Sequence, residues 1–128
     1  MADLEWTYDP ERRLFVVRYV GRVNLNVFLR ARIARRSIGV DYGQLRLMID
    51  TRQADVSELT GEDFKAMEAE RETRFSGIAE PAAAVVGSEI DRDIATLWAF
   101  YRNRSVPGSA AVFMNEREAL AWLLGDRP

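Results

Sequence analysis

Residues 14–20, LFVVRYV, predict a β-strand, because their β-branched and aromatic side chains are typical of one. Upstream, residues 4–8, LEWTY, alternate between apolar and polar side chains and predict a second strand. Residues 9–12 between them contain Pro10, which fixes a backbone angle suited to a turn. The chain is therefore predicted to begin with an antiparallel hairpin.

Downstream of the hairpin, helix signals and strand signals alternate. Asn24 is the predicted N-cap of a helix that runs to about Ser37. Residues 44–50, QLRLMID, predict a third strand followed by a polar loop, and a capping signal at Thr60 opens a helix through about Arg74. The remaining predicted elements are a strand at residues 81–87, a helix capped by Ser88 and broken at Pro107, a strand at residues 109–114, and a helix capped by Asn115 that ends near Leu124.

The predicted order is β-β-α-β-α-β-α-β-α. Strands that alternate with helices favour right-handed crossovers, so we expect an α/β fold with a mixed, mostly parallel five-stranded sheet. No linker rich in proline, glycine or serine divides the sequence. Residues 1–128 are therefore expected to form a single domain.

Composition excludes several classes of function. The 128 residues include neither histidine nor cysteine, which removes the usual triad base, thiolate chemistry and the commonest metal ligands. The formal net charge of −2 gives no electrostatic basis for binding nucleic acid. We therefore expect no metal, no cofactor, no nucleic-acid partner and no enzymatic activity.

No stretch of the sequence reaches the ~20 apolar residues of a membrane helix. The first residues carry acids and lack the apolar core of a signal peptide. These observations predict a cytoplasmic protein.

Four short segments carry a family resemblance. They are residues 5–9 (EWTYD), residues 17–23 (VRYVGRV), residues 47–50 (LMID) and residues 118–123 (EALAWL). In their order and spacing they resemble the STAS domain of bacterial anti-sigma-factor antagonists, and more narrowly the SpoIIAA-like group of small stand-alone bacterial proteins. The resemblance implies helices mainly on one face of the sheet and a regulatory role through protein binding.

The resemblance also implies a switch segment. The antagonists carry an Asp-Ser-Ser/Thr-Gly signature at the start of the second helix, and phosphorylation of its serine controls partner binding. Here residues 57–61 read SELTG, so the Asp-Ser pair is missing. Thr60 and Ser57 are the candidate phosphoacceptors, with Arg52 as the residue that would pair with a phosphate. We favour a helix-capping role for Thr60, because the acidic residues around it would repel a phosphate.

Asp50, Arg52 and Asp55 follow the predicted third strand, and sites in open α/β sheets collect at the carboxyl ends of strands. The two carboxylates suit a hard cation such as Mg²⁺ or acid–base chemistry. The alternative is an ion pair with arginine that fixes the loop. The sequence offers no nucleophile and no glycine-rich phosphate loop, so we favour the ion pair.

The first helix has two apolar faces. Leu25, Leu29 and Ile33 share one face, which Arg32 and Arg36 flank, and the other comprises Val27, Ala31, Ala34 and Ile38. The first face is covered by a neighbouring helix, forms a homodimer or partner interface, or touches an anionic membrane as a peripheral contact. The acidic second helix disfavours the membrane.

The third helix is predicted to be amphipathic. Its apolar stripe comprises Ile90, Ile94, Leu97, Trp98 and Tyr101, of which the last four are expected in the core. Phe100 lies off this stripe, so we expect it to line a pocket or a subunit contact.

Two hypotheses about function remain open. The first is a non-enzymatic regulatory domain that binds a protein partner or a second copy of itself. The alternative is a domain that binds or senses a small apolar, lipid-like ligand between the helices and the sheet, by analogy with CRAL-TRIO lipid-transfer domains.

Overall fold

The computed structural model describes residues 4–39, 45–75 and 80–125, with only the backbone for residues 70–75. The predicted order of strands and helices is confirmed. The elements are β1 (Leu4–Asp9), β2 (Leu14–Arg22), α1 (Leu25–Ser37), β3 (Arg46–Asp55), α2 (Gly61–Phe75), β4 (Ala82–Val85), α3 (Glu89–Ser105), β5 (Ala110–Phe113) and α4 (Glu116–Leu124).

One five-stranded sheet holds the strands in the order β1-β2-β3-β4-β5. β1 and β2 are antiparallel, and Trp6 lies opposite Val17. The other three pairings are parallel, with Asp50 of β3 between Arg18 of β2 and Val85 of β4. The sheet is therefore mixed and mostly parallel, as predicted.

The two faces of the sheet carry unequal numbers of helices. One face packs against α1, α2 and α3, and its core includes Phe15, Tyr19 and Trp98. Of the described helices, only α4 packs on the other face, through a cluster comprising Leu14, Met48, Ala83, Val85, Ala119 and Leu123. Side chains alternate between the faces along each strand, so both clusters draw on the same strands. The helices lie mainly on one face, as the family resemblance implied.

Three of the predicted caps begin their helices. Asn24 accepts a hydrogen bond from the backbone of Val27 at 3.2 Å, and Ser88 accepts one from Asp91 at 3.1 Å. Asn115 accepts one from Glu118 at 3.2 Å. Each bond satisfies an amide that the first helical turn leaves without a partner.

The predicted end of the third strand is wrong. Residues 51–55 continue β3, because β2 also continues and pairs with them as far as Arg22 opposite Asp55. Most of these residues are polar and resembled a loop, but Arg52, Gln53 and Asp55 are exposed beyond the end of the pairing with β4, where polar side chains are tolerated. The predicted first residue of this strand, Gln44, lies outside the described residues.

The predicted buried stripe of α3 is only partly correct. Trp98 is buried, and Ile94 and Tyr101 pack against the core. Leu97 is 39% exposed and Ile90 is 74% exposed. The inward face of α3 also includes Arg102, which is buried because it bonds Glu80. The helix is therefore rotated away from the orientation that apolar side chains alone would give.

Candidate functional site

Asp50 is the centre of a charged cluster on the sheet face that carries α4. Its side chain is only 3% exposed. Its carboxylate accepts hydrogen bonds from Arg18 Nε at 2.9 Å, from Arg52 Nε at 3.0 Å and from Arg52 Nη2 at 2.9 Å. Glu116, in the first turn of α4, lies 3.7 Å from Arg52 Nη2. The structure thus brings Asp50 and Arg52 together as an ion pair.

A register shift in the sheet positions these groups. Between Arg18 and Val20 of β2, the facing strand β3 carries one extra residue, which is a β-bulge. At this bulge the Arg52 amide and side chain both bond Asp50, while Thr51 donates a hydrogen bond to the Val85 carbonyl at 3.1 Å. The bulge therefore directs Arg52 back over Asp50.

These contacts set the charge state of Asp50. Burial favours the neutral carboxyl and raises its pKa, but hydrogen bonds from Arg52 and Arg18 outweigh burial, and the pKa of Asp50 falls to about 2. The hydrogen bond to Asp50 in turn raises the pKa of Arg52. A carboxylate that stays ionised and paired at neutral pH is poorly suited to general acid–base catalysis.

Asp55 and Ser57 form a separate pair at the end of β3. The Ser57 hydroxyl donates to Asp55 Oδ1 at 2.6 Å, and the Ser57 amide donates to the same oxygen at 3.0 Å. These bonds lower the pKa of Asp55. The described contacts of Asp55 do not include Asp50, so the structure does not join the two aspartates into one site. Among the described residues, no group of three or more acidic side chains is arranged to hold a metal ion.

Thr60 begins α2 in a reciprocal capping box with Asp63. The Asp63 amide donates to the Thr60 hydroxyl at 3.2 Å, and the Thr60 amide donates to Asp63 Oδ2 at 3.0 Å. The Thr60 hydroxyl also lies 3.2 Å from that carboxylate oxygen. The hydroxyl therefore caps the helix, and a phosphate placed on it would face a carboxylate.

An open apolar groove lies between β1 and α1. It is lined by Leu4, Trp6, Arg30, Ile33, Ala34 and Ser37, and we call it the β1–α1 groove. Ile33 is 62% exposed and Trp6 is 43% exposed. The Trp6 ring stacks on Phe15, with the ring centroids 5.3 Å apart. Contact with the buried Phe15 ring supports Trp6 at the surface.

The residues predicted around this face of α1 divide into two groups. Ile33 and Arg36 are exposed and Leu29 is half-buried. Leu25 instead packs against the core, and Arg32 is buried, where it donates a hydrogen bond to the Met67 carbonyl at 3.2 Å. Of the alternatives predicted for this face, Leu25 and Arg32 therefore fit the one in which the face is covered within the chain.

Phe100 is 54% exposed on the outer side of α3. Its ring meets Tyr101 edge-on, with the centroids 5.4 Å apart, and the Arg104 guanidinium lies 5.7 Å from the ring. Phe100 does not line the cavities described below. Of the two roles predicted for it, exposure favours the subunit contact.

The structure also contains a buried charge cluster that was not predicted from the sequence. Glu80 is fully buried and pairs with Arg35 of α1. Arg102 of α3 donates to the Glu80 carbonyl at 2.7 Å and lies 3.5 Å from its carboxylate. Burial raises the pKa of the adjacent Tyr19, although Arg35 and Arg32 oppose that shift. The available signal was the position of Arg35, which falls on the inward face of α1 with Val27 and Ala31.

A small apolar cavity lies between the sheet and the helices α1, α2 and α3. Phe28, Phe64, Ile94 and Trp98 are among its walls, and its volume is about 30 Å³. A second cavity of about 40 Å³ lies beside Tyr19 and the buried arginines. Pockets that hold small-molecule ligands are typically ~300 Å³ or larger. Each cavity therefore has room for a few water molecules at most.

No protein-family model matches this sequence, and no curated protein matches it. A solved structure does match: an uncharacterized protein of the DUF3478 family, with a SpoIIAA-like fold, from Shewanella loihica PV-4. The two chains are 16% identical and superpose with a TM-score of 0.63, over 96% of this chain and 95% of that chain. This chain has the SpoIIAA-like fold.

Within this SpoIIAA-like fold, the start of α2 is the place where the family resemblance implied a switch. The structure places the Thr60–Asp63 capping box there. Among the residues that the structure describes, no helix combines the length and the apolar character needed to span a membrane.

Proposed function

We propose that this SpoIIAA-like chain is a non-enzymatic regulatory domain that binds a protein partner in the β1–α1 groove. One observation carries the proposal: Trp6 and Ile33 are exposed on opposite sides of an open groove beside an edge strand. Large apolar side chains grouped at a surface are typical of interaction sites.

The edge of the sheet gives the groove a way to bind a peptide. β1 is the first strand, and on its outer side no strand within the described residues pairs with it. Backbone amides and carbonyls along such an edge can pair with an added strand. Leu4, Trp6 and Tyr8 alternate along β1 on the face that α1 covers. A bound strand would therefore place every second side chain over the groove.

The charge of α1 narrows the range of possible partners further. α1 contains no acidic residue, and Arg30 and Arg36 lie exposed at and near the groove. Complementary charge steers association and selects among partners. The partner that fits best is an extended segment with alternating apolar side chains and flanking acidic residues.

The charged groups elsewhere support a non-catalytic role. Asp50 is held as an ion pair by two arginines, and the Thr60 hydroxyl is used in the capping box of α2. Acid–base pairs in active sites typically have pKa values shifted in opposite directions. Both aspartates that were candidates for catalysis, Asp50 and Asp55, have lowered pKa values.

The test begins with a photo-crosslinking amino acid placed at Trp6 in cells, and in parallel at Met114, which is 41% exposed at a distant surface. The protein captured from position 6 is then purified, and its affinity is measured for the wild type, Ile33→Asp and Met114→Asp. We expect Ile33→Asp to weaken binding at least about tenfold, as the loss of a central apolar contact does, and Met114→Asp to leave it unchanged.

Equal affinities for the three proteins would contradict the proposal, as would the absence of any protein crosslinked at position 6. Circular dichroism of each variant checks that the fold is intact. Because Ile33 is 62% exposed, its replacement should leave stability nearly unchanged.

The second candidate function is binding of a small apolar ligand between the helices and the sheet. The apolar walls of the helix–sheet cavity favour it, whereas the volume of about 30 Å³ requires the helices to separate first. Native mass spectrometry tests it. A lipid-sized adduct that is lost on denaturation, and also lost in the cavity-filling variant Ala95→Trp, would support this candidate over the first.

A further inference from the structure

α3 carries an exposed stripe that the proposed function does not use. Asp93, Leu97, Phe100 and Arg104 form this α3 stripe, with spacings of four, three and four residues. All four are exposed and lie opposite Trp98 and Arg102, which face the core. Such spacing keeps side chains in line along one side of a helix, as in the seam of a coiled coil.

The α3 stripe is apolar at its centre and oppositely charged at its ends. Leu97 is 39% exposed and Phe100 is 54% exposed. Asp93 lies one turn before them and Arg104 one turn after. Among the described residues, neither Asp93 nor Arg104 takes part in an ion pair, and the Arg104 guanidinium lies over the Phe100 ring.

We propose that the α3 stripe binds the same stripe of a second copy of this chain, with the two helices antiparallel about a two-fold axis. In this arrangement, two residues face each other across the axis when their residue numbers add up to 197. Leu97 meets Phe100 of the partner subunit, and Asp93 meets Arg104 of the partner subunit. Each contact occurs twice, as a two-fold interface requires.

The residues beside the stripe are compatible with this pairing. Ile94 and Tyr101 flank it on one side, and Thr96 and Asn103 flank it on the other. In an antiparallel helix pair each flank of the stripe packs along the same flank of the partner helix, so like charges on one flank would repel. All four are uncharged.

Charge also explains why α3, and not α1, would meet its own copy. The exposed side of α1 carries Arg30 and Arg36 and no acidic residue. A two-fold contact through α1 would bring arginines together, whereas the α3 stripe supplies both signs. Self-association through α3 leaves the β1–α1 groove available, so this inference does not depend on the proposed function.

Charge reversal tests the pairing. Asp93→Arg gives a protomer with two arginines at the ends of the stripe, and Arg104→Asp gives one with two aspartates. We expect the wild type to dimerise in the micromolar range, because one helix per protomer gives a small interface. Each single variant should dimerise at least about tenfold more weakly, because two ion pairs become two repulsions.

Mixing the two single variants should restore dimerisation as a heterodimer, since every stripe end then meets its opposite charge. The double variant Asp93→Arg, Arg104→Asp should dimerise like the wild type. Sedimentation velocity and native mass spectrometry measure these species, and Arg117→Asp on α4 is the charge-reversal control that should not change dimerisation.

Three results would overturn the proposal. The first is a wild type that stays monomeric at concentrations up to about 1 mM. The second is single variants that dimerise as tightly as the wild type. The third is a mixture of the two single variants that associates no better than either does alone. Circular dichroism checks folding, and the mixture controls for disruption, because recovery requires both variants to be folded.

Discussion

At the scale of single residues, two carboxylates in different surroundings show how this chain holds charge inside a small domain. Asp50 lies between two arginines that reach it from the surface, each 39% exposed. Glu80 is fully buried, and Arg35 and Arg102 beside it are almost fully buried as well. Because water screens the first cluster and not the second, the two respond differently to loss of the carboxylate.

Replacing Asp50 with asparagine should destabilise the fold at neutral pH. A fall in pKa from 3.8 to about 2 on folding corresponds to roughly 2 kcal/mol, and partial exposure of both arginines reduces the expected loss to about 1–2 kcal/mol. The folded-state pKa is the lower one, so this stabilisation is present above pH 4 and is lost as the pH falls towards 2.

Urea unfolding from pH 7 to pH 3 measures this difference. The gap between the wild type and Asp50→Asn should narrow as the pH decreases, while Glu11→Gln, an exposed control in the hairpin turn, should match the wild type throughout. A gap that is absent at pH 7, or that widens in acid, would show that the arginines do not stabilise the Asp50 carboxylate.

Glu80→Gln should have a larger effect. Removing one partner of a buried ion pair leaves buried charge without compensation, which typically costs about 3–5 kcal/mol. The matched control is Glu58→Gln, because Glu58 pairs with Arg22 at 3.2 Å but is 52% exposed, and surface pairs contribute under about 1 kcal/mol. Chemical denaturation of both variants compares the two losses. Similar losses would refute the distinction between buried and exposed pairs.

At the scale of helices and strands, the sequence predicts a feature correctly where a single side chain determines it. Asn24, Ser88 and Asn115 cap their helices as predicted, because an N-cap bond spans only three residues. The end of β3 is mispredicted because its pairing with β2 is a long-range contact. The orientation of α3 is mispredicted because Arg102 is buried by a partner 22 residues away in sequence.

The candidate site shows the same division. The pairing of Asp50 with Arg52 is a contact between residues two positions apart, and it was predicted from the sequence. Arg18, which completes the cluster, is 32 residues from Asp50 and comes from a neighbouring strand. The position of Trp6 in the β1–α1 groove was also not predicted from the sequence. That position depends on how α1 crosses the hairpin.

The capping box gives a prediction at this scale. Thr60→Ala should destabilise the protein by about 1 kcal/mol, because the Asp63 amide loses its hydrogen-bond acceptor. Thr60→Ser keeps the hydroxyl and should lie within a few tenths of a kcal/mol of the wild type. Thermal unfolding followed by circular dichroism compares the three proteins. A serine variant as unstable as the alanine variant would mean that the Thr60 methyl group, not the cap, stabilises α2.

At the scale of the whole molecule, the SpoIIAA-like fold separates two surfaces. The β1–α1 groove lies at the β1 edge of the sheet, where the antiparallel hairpin adds an open strand to a parallel sheet. The α3 stripe lies on a helix that packs against β5 at the opposite edge. Because the two surfaces lie at opposite edges, the proposed partner and the proposed second copy would not compete for the same site.

Amide hydrogen exchange of β1, measured with and without the protein that crosslinks at position 6, shows whether a partner binds at the β1–α1 groove. A partner strand that pairs with the open edge should slow exchange of β1 amides and of the α1 segment around Ile33, and should leave α4 unchanged. Unchanged exchange in β1, with protection elsewhere on the surface, would contradict binding at the β1–α1 groove.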